Sequence, residues 1–537
     1  MLTQIAFLAS CLAAVTVVGS QDRAQAVSRG GGYESTARPW ELACLNLGAI
    51  LSAVTFFPWS RGYSAMSDQN WSGTARAKPA CIVRPENATQ LQTVVRLLRH
   101  KRVPFAVRSG GHNPAPGAAS IDKGVLVDLG RLDDVVYAPG SRTVTVGAGN
   151  KWTKVYTLLH EHELTVVGGR ILDVGVGGLL LGSKSLSLST RRSVLDVESA
   201  WPRLRQRRRT RGGLAPVLDD AFSPDENQGA GGASDSAALQ VVLGNGTLVR
   251  ANARDNADLH WALKGGGNNF GILASPLFLC GRRRLADRLY PLSQLPALYA
   301  ALAEYQAAAK PDAHANVMLQ AFPMNTTLGA VLTMVYLKPE VRPAVFAPFY
   351  RIPFTVDAIK IRTYLDLLAN THIPNLPRYD WHASTFRPDG RLYASIQNMT
   401  SSPTNLDPLA RLTSGTLAVG LQPMSRSGVL AGRSRGGGNA LGLSSEAQTW
   451  LVLGGAWYSA AGDSPGHEAI RALGDKIADA AGPELALPYL FMNDASYDQK
   501  VIASYGPQNV ARLREVQRAY DPDRLFQNLV PGGFKLG

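Results

Sequence analysis

Between residues 79 and 132 short apolar runs alternate with one amphipathic segment. The runs ACIVRP, PFAVRSGG and GVLVDLG read as buried strands, and NATQLQTVVRLLRHKR sets Leu91, Val94, Val95 and Leu98 on one face of a helix capped by Asn87 or Thr89. Strand, helix and strand in that order imply a small α/β unit with a crossover. Residues 135–181 read as strand, Gly-rich turn, helix and a glycine-dense stretch. AALQVVLGNGTLVRAN follows as a hairpin turning at Gly244-Asn245-Gly246, and DLHWALKGGGNNFGIL runs from a helix through three glycines into a strand. From 276 to 485 strands such as VLTMVYLKP and WLVLGGAWYS mix with helices such as EAIRALGDKIADAAG, an α+β pattern, and the helix PQNVARLREVQRAY stands near the end.

A chain of 537 residues with 53 glycines is too long for one core and predicts two or more domains rich in tight loops. The apolar run at 5–19, ending in small residues, falls short of the ~20 residues of a membrane span and reads as a cleaved secretory signal. Removing that leader takes away Cys11 and leaves Cys44, Cys81 and Cys280, of which Cys44 and Cys81 are expected to pair and Cys280 to stay buried and free. The sequons at Asn70, Asn87, Asn245, Asn325 and Asn398 suit a glycosylated secreted protein. The net charge of +14 raises the question of nucleic acid, but eight arginines against Asp196 and Glu198 concentrate a net +6 within 191–211. That stretch lacks interleaved aromatics for base stacking and reads as a solvated basic loop, so no nucleic-acid partner is expected.

The segment RSGGHN at 108–113 makes chemical sense as an anion cradle. Successive glycine N–H groups after a strand form a nest, Arg108 adds a positive charge, and His112 lies within reach of what a pyrophosphate carries. With VLVDLGRLDDV, VTVGAGNKW, TVVGGRILDVGVGGLLLG, VVLGNGTLV and DLHWALKGGGNNFGI in that order, the chain resembles the FAD-linked oxidases of the vanillyl-alcohol-oxidase and berberine-bridge-enzyme type. The likeness is close over 81–182 and 239–272, returns in NDASYDQKVIASYGPQNVARLREVQRAYDPDRLFQN, and is generic between them.

The resemblance implies an α+β fold: an FAD-binding domain of two α/β subdomains at 79–275, an α+β substrate domain with an antiparallel sheet at 276–485, and a C-terminal segment at 486–537 returning to the first. A signal at 1–20 and an extension at 21–78 precede them. It implies FAD joined covalently through His112, with Arg108, Ser109, Gly110, Gly111 and Asn113 at the pyrophosphate and flavin. Gly169, Asp173, Gly175, Gly177, Gly178, Ile272 and Asn493 complete the expected cofactor site. Some members carry a second, cysteinyl tether where this chain has Ile171, so a single covalent link is expected. A small-molecule substrate would pass a hydride to the flavin and O2 would take the electrons as H2O2, in a protein expected to be monomeric and without a metal.

Two departures stand out. Where the family has about twenty residues lining the flavin, this chain has an aperiodic stretch at 183–236, either an insertion or a misread segment. Near the end the family's Tyr-x-Asn-Tyr becomes FMND, keeping Asn493 but leaving Tyr489, Asp494 and Tyr497 as candidates for the base that takes the substrate proton. A non-catalytic protein with a degraded flavin site is therefore the first alternative, and a nicotinamide-dependent dehydrogenase using the glycines at 174–196 the second. The HEH at 160–162 is read as a helix end rather than a metal site, since residues i and i+2 of a helix face different ways.

Overall fold

The strand–helix–strand pattern at 79–132 forms as expected. β1 (Thr55–Phe56), β2 (Cys81–Val83), β3 (Phe105–Arg108) and β4 (Val125–Asp128) make a four-stranded sheet in the order β1-β2-β4-β3, with β2, β4 and β3 parallel. The helix Ala88–Lys101 buries Leu91, Val94, Val95 and Leu98 completely, and Asn87 caps it by accepting a hydrogen bond from Gln90 N at 3.0 Å. A disulfide joins Cys44, in the helix Pro39–Ile50, to Cys81 of β2, and Cys280 is a buried free thiol. The computed structural model describes residues 38–182 and 236–537, apart from short stretches at 281–283, 310, 313, 337–339, 361–362, 370–375 and 435–436. The signal, most of the 183–236 segment and the basic stretch lie outside the described residues.

A second sheet contains β5 (Val135–Ala138), β6 (Thr143–Val146), β7 (Ser236–Val242), β8 (Leu248–Ala251) and β9 (Ile272–Leu279), in the order β5-β6-β9-β7-β8. It is antiparallel throughout, and the hairpin β7–β8 turns where Gly246 takes a left-handed φ of 79°. One hydrophobic core runs through these two sheets and the C-terminal segment. There Leu529 O accepts from Phe105 N at 2.8 Å and the Tyr505 hydroxyl donates to Gly265 O at 2.9 Å.

The remaining strands are β10 (Arg284–Tyr290), β11 (Ala315–Ala321), β12 (Ala330–Tyr336), β13 (Val356–Ala358), β14 (Arg378–Phe386), β15 (Thr416–Met424), β16 (Gln448–Trp457) and β17 (Ala486–Leu487). They form an antiparallel eight-stranded sheet in the order β13-β10-β12-β11-β15-β16-β14-β17. Leu298, Ile396 and Ile470, from the helices Leu295–Gln306, Gly390–Ser401 and Asp463–Leu485, pack on one of its faces. Alternation leaves the other face free to line a cavity. The fold is thus the α+β arrangement expected from the sequence.

The nicotinamide alternative at 174–196 finds no support in its described part, 174–182, and its remainder lies outside the described residues. The short helix Val176–Leu181 follows turns at 168–175 rather than a strand, so the strand-turn-helix geometry that motif requires is missing. His160 closes the helix Trp152–His160, and the His162 ring lies outside it, 4.7 Å from that of Tyr137.

Candidate functional site

A cavity of about 380 Å³ lies between the glycine loops of the first two sheets and the open face of the eight-stranded one. The loop after β3 reaches it by an unusually close backbone approach. A Cβ at Gly110 would sit 2.4 Å from the Cα of Gly175, and Gly111 takes a φ of 66°, so neither position tolerates a side chain. Ser109 Oγ donates to Ala148 O at 2.6 Å and accepts from Gly177 N at 3.2 Å, which fixes the two loops to each other. At Gly178 an added Cβ would meet nothing within 4 Å, so this glycine opens onto the cavity.

His112 follows the double glycine and faces the cavity. Its ring stacks on Trp71 at 4.1 Å, Trp71 stacks on Tyr379 at 3.9 Å, and Trp381 lies 6.1 Å from His112. Burial pushes the imidazole down to about 4, so the ring is neutral at physiological pH with a lone pair available. The Ser72 hydroxyl accepts from Tyr379 N at 3.0 Å, which ties the segment bearing Trp71 to β14.

Opposite lies a polar group. Gln422 Nε2 donates to Asp494 Oδ2 at 2.8 Å, Arg170 Nη2 approaches the same oxygen at 3.4 Å, and Arg170 Nη1 donates to Gln422 Oε1. Asp494 is the one carboxylate among the described residues lining the cavity. Asn493 lines it too, and its Nδ2 donates to Leu179 O at 3.1 Å.

The structure sorts the expected site residues by place. Ser109, Gly110, Gly111, His112, Asn113, Gly169, Gly175, Gly177, Gly178, Ile272, Asn493 and Asp494 all border this cavity. Arg108 does not. Its guanidinium is buried and held by Asp128, with Nε to Oδ2 at 2.9 Å, while Nη1 donates to Asn70 Oδ1 at 2.8 Å and Nη2 to Met66 O at 2.7 Å. Its charge is spent inside the fold, on the back of the loop. Asp173 also stands outside, exposed and paired with Lys151 at 2.6 Å. Of the candidate bases, Tyr489 is buried between Trp450 and Tyr505, and Tyr497 is half exposed, stacked on His467 at 4.7 Å. Neither borders the cavity. The Asn70 sequon is corrected as well: the side chain is buried, accepting from Arg108 and donating from Nδ2 to Ala75 O at 3.2 Å.

Sequence reasoning missed Trp71, Tyr379, Trp381, Arg170 and Gln422. The period-2 spacing of Tyr379 and Trp381 within RYDWH was the available signal for two of them.

The cavity thus brings together a glycine-built cradle, a neutral histidine in an aromatic stack and, among the described residues, one carboxylate. A family model described as an FAD binding domain matches residues 79–198. An FAD-dependent monooxygenase of Arthrobotrys oligospora is 32% identical over 513 residues, covering 92% of this chain and 89% of the relative. The bifunctional solanapyrone synthase of Alternaria solani is 30% identical over 503 residues, with the same coverage of 92% and 89%. Among solved structures, the BBE-like 1 protein of Physcomitrella patens superposes with a TM-score of 0.68 at 18% identity, over 93% of this chain and 99% of that one. The chain belongs to the family of FAD-linked oxidoreductases that includes these FAD-dependent monooxygenases, and its fold is that of the berberine-bridge-enzyme-like proteins. It is an FAD-dependent oxidoreductase.

Proposed function

We propose that this protein is a secreted oxidase that carries FAD on a single covalent bond to His112 and oxidises a small alcohol, sugar or secondary metabolite. The residues fit the group: the loops at 109–113 and 175–178 meet backbone to backbone at Gly110 and Gly175, pinned by the small Ser109 side chain, and any side chain at Gly178 would intrude on the space they enclose. Bound there, FAD would supply the hydride acceptor and return its electrons to O2, giving H2O2. The chain's own residues do the rest. His112, neutral and held flat against Trp71, presents a nucleophilic nitrogen for the tether. Asp494 takes the proton from the substrate hydroxyl or amine, with Gln422 and Arg170 holding the carboxylate toward the cavity. Trp71, Tyr379 and Trp381 wall the space and exclude water.

Residues 79–275 with the C-terminal segment form the FAD-binding part and 276–485 the substrate part of a monomeric protein. The Cys44–Cys81 disulfide supports an oxidising compartment, and exposed Asn87, Asn245 and Asn398 are available to glycans. The observation carrying the reading is His112 at the end of a glycine cradle, neutral and facing the cavity. Its test is the absorbance of acid-precipitated protein: flavin stays with the wild-type pellet and leaves with the supernatant in His112→Ala. A colourless wild type, or flavin retained on the variant pellet, would overturn it.

A further inference from the structure

We infer that the substrate half of the cavity is a trough for a flat, largely apolar ring system, and that Gly454 keeps its floor open. This rests on the proposal that an oxidisable small molecule enters here.

The trough follows from strand alternation. Leu417, Val419, Leu451 and Leu453 point into the core beneath the helices. On the cavity side stand Thr416, Ala418 and Gly420 of β15 and Val452, Gly454 and Ala456 of β16; Leu417 and Val419 also border the cavity, but they belong to that core. Register sets Thr416 opposite Ala456, Ala418 opposite Gly454, and Gly420 opposite Val452, so the floor is two strands wide with no side chain larger than valine. One wall is aromatic, since β14 sets Trp381 opposite Gly454 and Tyr379 opposite Ala456. The other wall is Met318, Gln320 and Phe322, with Gln320 opposite Gly420. No charged residue lies on this floor, and Thr416 is its one polar side chain. Charge is met at the end where Gln422, Arg170 and Asp494 join.

Gly454 is not explained by backbone or packing. Its φ is not left-handed, and an added Cβ would lie 3.7 Å from Trp381 and 3.8 Å from Ala418, ordinary contact distances. The neighbouring glycines differ: a Cβ at Gly420 would come within 2.7 Å of Val452, and one at Gly455 within 2.6 Å of Ile470. A glycine inside a central strand weakens it, and where neither geometry nor a neighbour requires one, it marks close approach of a ligand. A sugar chain laid here would bury hydroxyls against a floor with almost no partners, at a cost in desolvation. A planar ring between Trp381 and Met318, with one oxygen toward Asp494, asks for far fewer polar partners than a sugar does.

The test is calorimetric titration of the holoprotein with 2-naphthalenemethanol and with cellotriose, alongside its visible spectrum. Naphthalenemethanol should bind and cellotriose should not. Gly454→Leu should weaken naphthalenemethanol about tenfold or more with flavin absorbance intact, and Gly454→Ala, whose methyl fits, should weaken it less. Tighter binding of cellotriose, or unchanged affinity in Gly454→Leu, would overturn the inference. A colourless preparation would instead overturn the proposed cofactor, and the same titration would still decide the trough.

Discussion

At the scale of single residues, the same loop divides its labour between its two sides. His112 faces the cavity and Arg108, four positions earlier, faces the core, where Asp128, Asn70 and Met66 satisfy it. A guanidinium removed from water needs such partners, and losing Asp128 would strand its charge at a cost of about 3–5 kcal/mol. The loop is therefore anchored from behind by an ion pair rather than charged toward a ligand. On the opposite wall Asp494 has no rival among the described residues lining the cavity. Asp494→Asn keeps the shape and the Arg170 and Gln422 neighbours but removes the proposed proton acceptor. The rate of flavin reduction by an arylmethanol, followed anaerobically by stopped flow, should fall about 10²–10⁴-fold with flavin content unchanged. An unaltered rate would move the base elsewhere.

At the scale of elements, the Cys44–Cys81 bond ties the helix Pro39–Ile50 to the parallel sheet across 37 residues. Closing a loop of that length in the unfolded chain contributes about 4 kcal/mol. The double variant Cys44→Ala, Cys81→Ala should lose about that much in denaturant unfolding, and because Trp71 is carried within the same N-terminal region, the stack on His112 should loosen with it. Legibility also divides along elements. The glycine loops could be read because their chemistry is local: Gly111 needs a left-handed φ, and the Gly110–Gly175 contact admits no Cβ. The facing wall could not, because Trp71, Tyr379 and Gly454 meet only through the register of β14 on β16 and the docking of the N-terminal segment. Tyr489 misled for the related reason that composition near Asn493 does not say which tyrosine turns into the core. The helix Ala88–Lys101, whose cap and buried stripe are both local, was legible to within its first turn.

At the scale of the whole molecule, histidines pull stability in opposite directions with pH, His112 and the likewise desolvated His382 in one sense and His467 in the other. His112 is held neutral by burial, its folded pKa of about 4 lying below the ordinary 6.5, so as a free imidazole it costs stability as pH falls from 6.5 toward 4. His467 behaves in the other sense. Its Nδ1 meets Asp380 at 2.5 Å and its Nε2 meets Asp498 at 3.3 Å, with Arg471 opposing, and the Asp380 hydrogen bond raises its pKa. That contribution is complete below 6.5 and is lost as pH rises through the raised folded value. In the melting temperature of the flavin-free protein followed against pH, His112→Ala should make the acid flank shallower, with His382 still contributing, and His467→Gln the alkaline one, and a profile unchanged by either would refute the assignment. The Arg108–Asn70 contact has a consequence for biogenesis. Where a host glycosylates a chain before it folds, a sugar on Asn70 Nδ2 would displace the bond that this amide makes to Ala75 O. The glycan and the native packing at Asn70 exclude each other, so in a glycosylating host Asn70→Gln should not lower the yield of folded protein more than a conservative core change would.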